Sequence, residues 1–149
     1  MLKCSEIMTT NPVSCLPGDT IESVAQWMKN EDVGSLPVVE NHQTQKLIGI
    51  ITDRDITLRV IAEQRDPKNT RVVEIMTPNP VSCDANDSLD KVADAMSQNQ
   101  IRRIPIINQD KQIVGIIAQA DLATRLQDNR KAADVVQDVS QPNTVAASP

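Results

Sequence analysis

Aromatic side chains are almost missing from this chain: Trp27 stands alone among 149 residues, without a single Phe or Tyr. A core must therefore be filled by Val, Ile, Leu, Met and Ala. The same gap removes the stacking platforms used to bind single-stranded nucleic acid, and a net charge of −5 with scattered Lys and Arg gives no basic footprint. Nucleic acid is excluded as a partner on both counts. Histidine is nearly missing too. His42 is the single copy, and it lies in a polar stretch, Asn41-His42-Gln43-Thr44, that reads as a hairpin tip. No general base stands beside a nucleophile, so the chain is expected not to be an enzyme. Asp53 and Asp55 alternate at a predicted helix start, as solvated capping acids do, and no metal site is expected. No apolar run reaches transmembrane length, and Met1-Leu2-Lys3 opens no charged-then-apolar leader. The expectation is a cytoplasmic protein without membrane contact. Cys4, Cys15 and Cys83 make neither a Cys-x-x-Cys pair nor an even set for disulfides.

What the chain does contain is a duplication. Glu6-Ile7-Met8-Thr9-Thr10-Asn11-Pro12-Val13-Ser14-Cys15 returns as Glu74-Ile75-Met76-Thr77-Pro78-Asn79-Pro80-Val81-Ser82-Cys83. Val24-Ala25 and Met28 recur as Val92-Ala93 and Met96, Leu36-Pro37-Val38-Val39 as Ile104-Pro105-Ile106-Ile107, and Gly49-Ile50-Ile51 as Gly115-Ile116-Ile117. Each copy has roughly fifty residues, a size at which burial is marginal, so the copies are expected to pack on each other. Cys15 and Cys83 hold equivalent strand positions, which suits small, reduced core residues. A thiol pair that responds to oxidants is the alternative.

Along the first copy, a turn of helix at Ser5–Met8 precedes a brief strand at Val13–Cys15. Pro17-Gly18-Asp19-Thr20 leads into a helix capped by Asp19 or Thr20, with Ile21, Val24, Ala25 and Met28 on one face. Ser35–Val39 and Lys46–Thr52 read as a strand hairpin, and Asp53–Glu63 as a second helix with Ile56, Val60 and Ile61 facing in. The second copy repeats the order β-α-β-β-α with Val81–Cys83, Ser88–Asn99, Arg103–Ile107, Gln112–Ala118 and Ala120–Leu126. The expected organisation is a first domain over 5–65, a linker over 66–72, and a second domain over 73–126. A C-terminal helix at Lys131–Val139 and a frayed tail complete 127–149.

The junction Gly49-Ile50-Ile51-Thr52-Asp53-Arg54-Asp55 carries the sharpest chemistry. A buried strand ends at Thr52 and a helix starts at once, so its free N–H groups form a seat for phosphate. Thr52 adds a hydroxyl, and Asp55 offers a carboxylate to a vicinal diol. Together they suit a ribose phosphate; an ordinary N-cap with first-turn acids is the alternative. The second copy reads Gly115-Ile116-Ile117-Ala118-Gln119-Ala120-Asp121 and has lost the hydroxyl and the arginine. The middle strand shows the reverse asymmetry: Gly34-Ser35 in the first copy, Arg102-Arg103 in the second. Adjacent arginines at the start of a buried strand must reach an anion or solvent, either as a phosphate clamp or as a surface salt bridge.

The doubled unit, the Ile-Met-Thr-x-Asn-Pro-Val opening, the Leu-Pro-Val strand and the Gly-Ile-Ile-Thr-Asp-Arg-Asp junction together resemble a tandem pair of CBS domains. The chain as a whole is similar to small stand-alone bacterial CBS-pair proteins. The resemblance implies an α/β (α+β) fold of two repeats packed about a pseudo-two-fold axis, with clefts that bind adenine nucleotides or other adenosyl compounds. It implies one cleft built from Thr52 and Asp55 (phosphate and ribose), Pro80 and Val81 (adenine), and Arg102 and Arg103 (phosphates). Ile50 and Arg54 of the same junction belong to that set. A weaker second cleft would use Pro12, Val13, Ser35 and Asp121. No cofactor is required, and AMP, ADP, ATP or S-adenosylmethionine are the implied ligands. A regulatory homodimer that signals to an effector protein is the implied function. A stress-related interaction protein with vestigial clefts, and with Cys15 and Cys83 responding to oxidants, is the alternative.

Overall fold

The computed structural model describes residues 2–132, with side chains through Asp128. In chain order the first repeat contains α1 (Cys4–Ile7), β1 (Thr9–Thr10), α2 (Ile21–Glu31), β2 (Ser35–Val39), β3 (Leu47–Thr52) and α3 (Asp53–Ile56). The second contains α4 (Val72–Ile75), β4 (Thr77–Pro78), β5 (Cys83–Asp84), α5 (Leu89–Asn99), β6 (Arg103–Ile107), β7 (Ile113–Ala118) and α6 (Gln119–Ala132). Helix and strand are mixed, as the repeat pattern implies. Most of the Lys131–Val139 helix expected from the sequence lies outside the described residues.

Local chemistry sets these elements. The Thr20 hydroxyl accepts the Ser23 N–H at 3.2 Å and caps α2; the Ser88 hydroxyl accepts the Lys91 N–H at 3.3 Å and caps α5. Both helices end on a left-handed residue, Asp32 (φ 54°) and Gln100 (φ 53°). The strand expected at Val13–Cys15 shrinks to a single parallel bridge, Cys15 to Val38. Instead Thr9–Thr10 forms a short strand paired with Ile116 and Gly115 of β7, and the chain turns away at Asn11, φ 51°. The helix from Asp53 differs from expectation too. It passes at Thr57–Ile61 into a π-helical turn, closed by the Ala62 N–H on the Thr57 carbonyl at 2.9 Å. The wider turn breaks the 3.6-residue spacing, so Val60 stays buried but Ile61, expected to face in, is 59% exposed.

The chain forms two compact units. One, here the Thr52 unit, comprises Val13–Pro80 with Asp110–Ile113; the other, the Arg103 unit, comprises residues 2–12, Val81–Gln109 and residues 114–132. The repeats written in the sequence are thus not the units formed in space, since each unit takes the opening segment of the other repeat. In the Thr52 unit the sheet order is β2-β3-β4; in the Arg103 unit it is β1-β7-β6-β5. The doubled motifs are explained by this exchange. Met76, which opens the second repeat, lies on Gly49 of the first, and Met8 lies on Gly115 of the second. A Cβ at Gly49 would stand 2.6 Å from the Met76 sulfur, and one at Gly115 2.5 Å from the Met8 sulfur.

Each unit has its own apolar core. Ile21, Val24, Leu36, Val38, Ile51 and Val72 lead the first, with Trp27 packed against it. Leu89, Val92, Ile104, Ile106, Ile117 and Leu122 lead the second. Both are aliphatic, as the composition requires. All three cysteines are buried thiols: Cys15 in the core of the Thr52 unit, Cys4 and Cys83 together in the core of the Arg103 unit. Cys15 and Cys83, considered as a thiol pair on their equivalent positions, therefore sit in separate cores.

Candidate functional site: two strand-to-helix junctions

In the Thr52 unit β2 and β3 pair antiparallel, and Ser35 stands directly opposite Thr52 at the end of the hairpin. The Asp53 N–H donates to the Gly34 carbonyl at 2.9 Å. A Cβ on Gly34 would meet an Asp53 carboxylate oxygen at 3.0 Å, so the small residue lets that carboxylate fold back over the strand end. Thr52 and Asp55 form a reciprocal capping box. The Asp55 N–H donates to Thr52 Oγ1 and the Thr52 N–H donates to Asp55 Oδ2, each at 3.0 Å. The N-cap reading of these two residues is therefore realised. It leaves the Thr52 hydroxyl proton and Asp55 Oδ1 uncommitted, one donor and one acceptor half-exposed at the helix start. Arg54 projects into solvent from the same turn, and Ile50, half-buried, lies opposite Pro37 on one side and Thr77 on the other.

β4 brings the Asn79-Pro80 segment to this unit. Thr77 pairs with Ile50 and Pro78 with Gly49, and the Asn79 N–H reaches the Ile48 carbonyl at 3.2 Å. This direction carries the segment along β3 away from Thr52 toward Ile48. Asn79 has φ 49° and its counterpart Asn11 φ 51°. This left-handed conformation is one that asparagine tolerates, which accounts for the asparagine at this place in both openings. Val13 and Val81, the residues after those prolines, are exposed at 40% and 38%.

The Arg103 unit has the matching junction. The Gln119 N–H donates to the Arg102 carbonyl at 2.6 Å, as Asp53 does to Gly34. Ala118 replaces the capping Thr, and Asp121 is exposed in the first turn of α6. Arg102 is exposed; Arg103 is half-buried at the start of β6. The Arg103 Nε is buried and has no hydrogen-bond partner among the described residues. A guanidinium N–H shut away from water without an acceptor costs about 1–3 kcal/mol, more when charged.

The structure thus gathers Ser35, Ile50, Thr52, Arg54, Asp55 and Val13 in one unit with Pro80, and Pro12, Val81, Arg102, Arg103 and Asp121 in the other. Sequence reasoning missed the Gly34–Asp53 contact, whose signal was the lone glycine before the middle strand of the first copy. Burial, more than any neighbouring charge, pushes the Cys4 and Cys15 thiols up to about 12 and raises Cys83 as well. Among the described residues no group of three or more His, Cys, Asp or Glu is placed to hold a metal ion, and no helix is long and apolar enough to cross a membrane.

With this geometry in view, comparison with known proteins is specific. The CBS domain family matches residues 4–62 and 72–128. The CBS domain-containing protein YhcV of Bacillus subtilis is 40% identical over 143 residues, which cover 96% of this chain and 99% of that protein. The crystal structure of Hypoxic Response Protein I with two coordinated zinc ions superposes with a TM-score of 0.75 at 30% identity, covering 83% of this chain and 98% of that one. The CBS domain pair of protein MJ0100, in complex with 5′-methylthioadenosine and S-adenosyl-L-methionine, gives a TM-score of 0.74 at 27% identity, covering 87% and 98%. This chain belongs to the CBS domain family and carries two CBS domains in tandem.

Proposed function

We propose that this protein is a regulatory module, not an enzyme, that binds an adenine nucleotide or another adenosyl compound and passes the binding event on through a homodimer or an effector protein in the cytoplasm. The observation that carries the reading is the orphaned Nε of Arg103. A phosphate or carboxylate oxygen is the acceptor that fits a half-buried guanidinium best. The ligand class is supported by the similarity to the MJ0100 pair and its two adenosyl ligands. In this reading Asp55 accepts the ribose hydroxyls through Oδ1 and Thr52 donates its hydroxyl to a phosphate. In the Arg103 unit, Arg102 and Arg103 offer their guanidinium groups to phosphate, and Pro80 and Val81, each in its own unit, offer apolar contact to adenine. Pro12, Val13, Ser35 and Asp121 form the poorer counterpart.

Titration calorimetry with AMP, ADP, ATP, S-adenosylmethionine and 5′-methylthioadenosine tests it. Binding of at least one of these, weakened about tenfold or more in Arg103→Ala and in Asp55→Ala, is the expected result, in keeping with loss of a charge-assisted hydrogen bond. If Asp55→Ala and Arg103→Ala affect different ligands, the two residues serve separate seats. No binding of any of the five at millimolar concentration refutes the reading.

A further inference from the structure

Cys4 and Cys83 come from different repeats and lie about 80 residues apart along the chain, a long loop for a crosslink to close. In space they share the core of the Arg103 unit, at 0% and 5% exposure. The Cys4 N–H donates to the Asp87 carbonyl at 2.9 Å and the Ser5 N–H to the Ala85 carbonyl at 3.0 Å. These bonds lay α1 on the turn that leaves β5 after Asp84, the residue next to Cys83. The other unit is an internal control. Its counterparts are Val72 and Cys15, both at 0% exposure in one core. The fold asks only for a small apolar side chain at the Cys4 position, so packing does not account for a second sulfur there.

We propose that Cys4 and Cys83 form a reversible intramolecular disulfide, a redox-sensitive staple that fastens the opening segment of the first repeat to the core of the second. A low-molecular-weight disulfide is the oxidant. One cysteine thiolate attacks a sulfur of that reagent, forming a mixed disulfide and expelling one small thiolate. The second cysteine thiolate then attacks the protein-borne sulfur of the mixed disulfide and expels the other. The protein thiols lose two protons and two electrons, and the reagent is reduced to two thiols. Burial keeps both cysteines protonated while α1 is seated, so the reaction waits for this single turn of helix to lift and is slow. Cys15, with no second cysteine among the described residues of its core, stays a thiol.

Full-length protein is incubated with oxidised glutathione, alkylated, and examined by intact mass and peptide mapping, with a reduced control. The expected product has lost two hydrogens, links the Cys4 and Cys83 peptides, carries alkylated Cys15 and melts several degrees higher than the reduced form. Cys4→Val, copied from Val72, is expected to keep the reduced melting temperature and lose the link; the wild-type peptide map stands whatever that variant does. Links through Cys15, intermolecular links, three thiols still free after prolonged oxidation, or a linked form that melts lower than the reduced one overturns the proposal.

Discussion

Gly115→Ala is the most exacting perturbation of the exchanged architecture. The added Cβ would lie 2.5 Å from Sδ, 2.6 Å from Cγ and 2.9 Å from Cβ of Met8. At Gly49 only the flexible Met76 sulfur is as close, at 2.6 Å, with the Thr77 carbonyl oxygen at 3.1 Å. Swinging the thioether aside relieves Gly49→Ala but not Gly115→Ala, where the Met8 Cβ, fixed to the backbone of the exchanged segment, is itself too near. Overpacking of this kind costs about 1–3 kcal/mol, and the loss of glycine freedom in the unfolded chain returns about 0.4–1 kcal/mol. Neither glycine has a positive φ, so no backbone penalty is added. A net loss of about 2 kcal/mol for Gly115→Ala and about 1 kcal/mol or less for Gly49→Ala follows. Gly18→Ala, with nothing within 4 Å of the new methyl, is neutral or slightly stabilising. Urea unfolding followed by far-ultraviolet circular dichroism reads all three, and Met8→Ala in the Gly115→Ala background supplies the coupling. The double variant is expected to lose less than the sum of the single losses. Gly115→Ala as stable as the wild type, or strict additivity with Met8→Ala, refutes the packing of the first opening on the second repeat.

Thr52→Ala removes the acceptor of the Asp55 N–H and is expected to lower stability by about 1 kcal/mol, whereas Thr52→Ser keeps the cap; equal urea midpoints for the two variants contradict the capping box. The buried thiols give a pH signature. Cys4 and Cys15 are held up to about 12 in the folded protein, while an unfolded thiol ionises at about 8.5. Above that value the unfolded state sheds protons that the folded state keeps. The thiol contribution is therefore complete below about pH 8.5 and is lost as pH rises toward 12, by up to about 1.4 kcal/mol per pH unit for each thiol. Urea midpoints measured at about pH 8 and about pH 10.5 are expected to fall, and to fall less in Cys15→Val; identical slopes for the two proteins contradict the burial.

Much of the fold was legible because it is local. Thr20 and Ser88 cap as their types suggest, Ser35–Val39 and Arg103–Ile107 are strands as read, and the apolar spacing of α2 buries Ile21, Val24 and Met28. Ile61 was misplaced because a π turn changes the spacing that the helical pattern assumes. At the candidate site, the Thr52 and Asp55 junction was visible as a motif, with its N-cap as one reading, but the buried, orphaned Nε of Arg103 was not. That depends on where the groups around β6 stand in space.

The sequence by itself determined the doubling, the aliphatic core, the element order and the residue types at each junction, since all of these follow from periodicity, caps and composition within short windows. Only the tertiary structure decided which opening serves which repeat. The two openings are nearly identical strings, so either could pair with either strand as far as local preference goes. The choice is made by long-range contacts: Met8 on Gly115, Met76 on Gly49, and Cys4 beside Cys83 instead of Cys15. These are packing facts between segments far apart in the chain, and no local pattern carries them.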